Sequence, residues 1–110
     1  MNLMSDDMLL WMAAIADDSV AEKKLDTFVK FIEKETQNHI SLAFLRDILS
    51  RLNAIGKGDS VFFKVLQTVI DRREKGQITV TYTEHYPKEA AEQQDRLTQR
   101  WVSLADPYRE

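Results

Sequence analysis

The chain contains no cysteine. That absence removes disulfide frameworks, thiolate metal sites and cysteine nucleophiles together, and it suits a reducing compartment. Glycine and proline are scarce as well, with 3 and 2 among 110 residues, which leaves little room for long linkers. Internal repeats and low-complexity tracts are missing. Nor is there an apolar stretch of bilayer length. The longest one, Met8 to Ala16, falls far below the ~20 residues a spanning helix needs. Asp6 and Asp7 precede it where a signal peptide would carry Lys or Arg. A cytoplasmic protein without membrane association is expected.

What remains is ordinary for one soluble domain over residues 1–110, with 44% hydrophobic and 30% charged residues. The net charge of −3 is unevenly spread. Residues 1–18 carry Asp6, Asp7, Asp17 and Asp18 and no base. Residues 41–75 carry Arg46, Arg51, Lys57, Lys64, Arg72, Arg73 and Lys75 against Asp47, Asp59, Asp71 and Glu74. That balance is too mild for a nucleic-acid mimic and too acidic for a general polyanion binder.

The hydrophobic pattern predicts a mainly α fold, a compact bundle of about five helices with one short strand. The first helix spans about 6–16, capped by Ser5 or Asp6, and its run of apolar residues leaves almost no polar face. Such a helix either forms the centre of the core or covers an interface. The second opens on Ser19 and Glu22, spaced as a capping box, and continues in the buried stripe Leu25, Phe28, Val29 and Ile32. The third covers about 41–55, with Leu42, Leu45, Ile48, Leu49 and Leu52 on one face and Gly56 as its left-handed stop. The fourth begins at Asp59 or Ser60, turns Phe62, Val65, Leu66 and Val69 inward, and ends at Gly76. Residues 77–84, QITVTYTE, alternate Ile78, Val80 and Tyr82 with threonines at the period of a strand. A last helix follows over about 88–105, with Leu97, Trp101 and Leu104 on one side.

No catalytic constellation emerges, and no enzyme activity or cofactor is expected. Glu35 and His39 have the spacing of a metal pair but no third ligand, so a solvated helix end is the simpler account. His85 lies by a turn with no serine nucleophile beside it in sequence. The pairs Asp6–Asp7 and Asp17–Asp18 sit where a helix starts or stops, which makes them caps rather than metal ligands. The segment from Gly56 to Ser60 fails the phosphate-loop pattern, because Arg51 stands where its first glycine would be.

Function is therefore expected through binding. The foremost expectation is a homodimer, with 77–84 pairing with its own copy and the last helix packing across, through Ile78, Val80, Tyr82, Leu97 and Trp101. A second is nucleic-acid binding. The third helix, the turn and the fourth helix suit a helix-turn-helix, and with the strand as a wing residues 19–86 resemble a winged-helix domain in topology. That resemblance implies a reading face with Lys64, Gln67, Thr68, Arg72 and Arg73, although Asp71 on the same face would repel phosphate. A third is a small inhibitor or accessory protein docking on a larger assembly through Leu10, Trp11 and Met12.

Overall fold

Side-chain oxygens start three of the helices. The hydroxyls of Ser5, Ser41 and Ser60 accept from the amides of Met8, Phe44 and Phe63, at 3.1, 3.2 and 3.2 Å. Each satisfies an amide that has no partner inside its own helix. In this computed structural model, which describes residues 5–18, 25–36, 40–76 and 90–105, five helices result. They are α1 (Asp6–Asp18), α2 (Leu25–Thr36), α3 (Leu42–Ala54), α4 (Val61–Glu74) and α5 (Ala90–Ala105). Gly56, at φ +81°, carries the chain out of α3 in the left-handed conformation that a side chain would strain.

No strand occurs among the described residues. The expected strand 77–84 and its winged-helix role lie outside them, as does the capping box at Ser19 and Glu22.

The buried side chains form one contiguous cluster. Trp101 of α5 is its largest member. Its ring stacks on Phe62 of α4 at 4.4 Å and lies tilted against Phe28 of α2 at 5.0 Å. Its indole N–H donates to the Met12 carbonyl of α1 at 2.8 Å, so the buried polar edge has a partner. Helix α4 touches α1, α2 and α3, and it buries Phe62, Val65, Leu66, Val69 and Ile70. Helix α4 therefore contributes most to the core, and α1 packs against it and against α3 and α5. The radius of gyration, 13.1 Å, is that of a closely packed chain of this length.

Polar contacts fix the ends. Gln93 Oε1 accepts from both the amide and the hydroxyl of Ser41, at 2.9 and 3.1 Å, tying the start of α5 to the start of α3. Arg96 and Arg100 both face the buried carboxylate of Glu35, joining α5 to the end of α2.

Candidate functional site

Helix α1 buries Leu9, Met12, Ala13 and Ala16, which recur at the spacing of a single helix face. Nine successive apolar residues, Met8 to Ala16, cannot all lie on that face. Leu10 and Trp11 consequently point outward, 36% and 46% exposed, and they are the exposed large hydrophobic residues of the described chain. Met12, grouped with them on sequence grounds, is fully buried.

Trp11 forms one wall of a shallow groove of about 470 Å³ between α1 and α5. The other wall is Thr98, Gln99, Arg100, Val102 and Ser103. These α5 residues alternate with the inward Leu97 and Trp101, so the same helix supplies the core on one side and the groove on the other. Thr98 also approaches Met12 through its hydroxyl, 3.9 Å from the sulfur, which fixes the floor between the two helices. Sequence reasoning missed the α5 wall. The i, i+4 pair Thr98 and Val102 signals it, but only once the direction of Trp101 is known.

The acidic residues of α1 fall into two classes. Asp6 pairs with Arg51 at 3.3 Å. Asp17 accepts from the Val61 amide at 3.0 Å and so caps α4 from a distance. Asp7 and Asp18 are exposed and engage no cation among the described residues.

The residues expected at a dimer interface divide likewise. Ile78, Val80 and Tyr82 lie outside the described residues. Leu97 and Trp101 need correction, because both are 0% exposed within the single chain. Trp101 is enclosed by α1, α2 and α4, and neither side chain has surface left for a second copy.

The basic face of α4 is tied down by its own neighbours. Arg72 pairs with Glu33 of α2, and Arg73 donates to the Ile40 carbonyl at 3.3 Å. Gln67 donates to Asp71 at 3.0 Å, and Thr68 donates to the Lys64 carbonyl at 2.8 Å. Lys64 is exposed. Beyond this face, Arg46 pairs with Glu74 and Arg51 with Asp6.

The start of α4 offers no vacant anion site either. Asp17 and Ser60 already accept from the Val61 and Phe63 amides. Glu35, expected at a solvated helix end, is instead buried and faces two arginines, and His39 and His85 lie outside the described residues. No group of three or more metal-ligating side chains occurs among the described residues. No described helix is long and apolar enough to cross a membrane.

This is a helical bundle with two exposed large apolar side chains, Leu10 and Trp11, on the outer face of α1. Neither its sequence nor its fold matches a protein-family model, a curated protein or a solved structure.

Proposed function

We propose that this chain is a non-enzymatic binding module that docks on another protein through the outward face of α1 and the adjoining wall of α5. The observation that carries this is the exposure of Trp11 beside Leu10 on a helix whose opposite face is fully packed. A tryptophan at the lip of a groove supplies a large anchoring surface at small entropic cost, and such residues dominate binding energy at interfaces. Burial of Leu9, Met12, Ala13 and Ala16 holds the helix in place, so the face is rigid before a partner arrives.

A photo-activatable amino acid in place of Trp11 tests this inside the producing cell. A discrete cross-linked product is expected from position 11 and not from the exposed Asp47, on a different helix. Absence of a product at 11, or equal products at both positions, contradicts it.

The alternation of Ile78, Val80 and Tyr82 supports an independent second reading, pairing of 77–84 with the same strand of a second copy. Its test is Val80→Lys. A halved molar mass in light scattering is expected if the strands pair, and an unchanged mass contradicts the pairing.

A further inference from the structure

Helix α1 holds more information than its exposed indole. Asp7, Trp11, Ala14 and Asp18 are spaced i, i+4, i+7 and i+11, so they form one straight stripe along the outside of the helix. All four are exposed. Leu10 lies beside Trp11 on the same outer surface. The stripe is thus apolar in the middle and acidic at both ends, with the two carboxylates about 16 Å apart along the axis. No base occurs anywhere in α1.

The two ends differ in what the fold explains. Asp7 stands in the first turn, where the helix dipole favours a carboxylate. Asp18 stands in the last turn, where the dipole opposes one. Its neighbour Asp17 has a task, capping α4 through the Val61 amide. Asp18 has none within the described fold, and a local rule broken without internal compensation points outward.

From this pattern, and resting on the docking function proposed above, we infer that the occupant is a basic amphipathic helix of another protein. Its apolar stripe covers Leu10, Trp11 and Ala14, and its Lys or Arg side chains, roughly three helical turns apart, meet Asp7 and Asp18. A second copy of this face is the wrong occupant. Whichever way two α1 helices run, a two-fold axis brings an acidic end against an acidic end. An anionic membrane surface is repelled for the same reason. The cation on the groove wall, Arg100, is drawn to Glu35 at 3.5 Å, a carboxylate it shares with Arg96, and it pairs with neither acid of the stripe. On α5, the exposed Asp95 shares a stripe with Gln99 and Val102 and adds to the negative rim.

The test uses two fluorescent synthetic helices of about 18 residues with the same leucine stripe. One carries lysines at both ends of the stripe and the other glutamates at the same positions, and binding to the full chain is read by anisotropy. The lysine peptide is expected to bind at least about tenfold more tightly, with an advantage that shrinks as salt is raised. Asp7→Lys combined with Asp18→Lys should reverse the preference, and Trp11→Ser should abolish binding of both peptides while circular dichroism stays unchanged. Equal affinity for the two peptides, lost in Trp11→Ser, overturns the charge assignment and leaves the docking face standing. Peptide binding that survives Trp11→Ser, or no binding of either peptide, overturns the docking face itself. A blue shift of Trp11 emission on dilution-sensitive self-association, or on zwitterionic vesicles, assigns the face to a different occupant and overturns the inference.

Discussion

Two tryptophans of this chain have opposite tasks. Trp101 is enclosed by Phe28 and Phe62 and hydrogen-bonded to α1, whereas Trp11 stands half in solvent. Trp101→Ala should therefore cost about 3–5 kcal/mol in urea unfolding, since it opens a cavity where helices meet. Trp11→Ser should stay within about 0.5 kcal/mol of the parent, as surface changes do. Comparable losses from the two would mean that Trp11 is part of the core. Gln93 provides a polar counterpart. Gln93→Leu strands the buried Ser41 amide and hydroxyl and should cost about 1–3 kcal/mol, a loss that unfolding midpoints at constant m-value would register. None of these contacts is legible in the sequence, because Ser41 and Gln93 are far apart in the chain and no local pattern links them.

Among the elements, all five helices were legible, but the inward side was legible only in those with a period. Leu25, Phe28, Val29 and Ile32 predict the buried side of α2, and three of these four are buried while Leu25 is half-buried. Ser41, Ser60 and Gly56 mark the ends of α3 and α4 for reasons of hydrogen bonding and backbone conformation that act locally. Gly56→Ala should accordingly lower stability by about 1 kcal/mol, checked by the same unfolding series, and no change would mean that the turn relaxes freely. Helix α1 is apolar around its whole circumference over residues 8–15, so its sequence gave no direction to the face that solvent keeps. For α5 the stripe Leu97, Trp101 and Leu104 was correct as an apolar stripe. Its destination was not, because nothing in the stripe distinguishes a core from an interface. In the fourth helix Phe62, Val65, Leu66 and Val69 are buried as their spacing predicts, Ile70 joins them, and Lys64 and Asp71 stay exposed on the other side.

For the molecule as a whole, charge is balanced internally rather than displayed. Glu33, Glu35, Glu74 and Asp6 each face arginines from distant helices. Three arginines of the basic middle, Arg46, Arg51 and Arg72, are thereby paired, and a gel-shift titration with mixed-sequence duplex at low salt should give no retarded band. A band abolished by Lys64→Glu would restore the nucleic-acid alternative. Two of the acids left over, Asp7 and Asp18, flank the exposed tryptophan of α1, and that placement is what the proposed partner would use. The most direct measurement follows the two indole N–H signals in a nitrogen-15 spectrum as the lysine-ended peptide is added. The Trp11 signal should shift while that of Trp101, donated to the Met12 carbonyl, stays in place. A spectrum in which the Trp101 signal moves and that of Trp11 does not would contradict a docking face on the outside of α1.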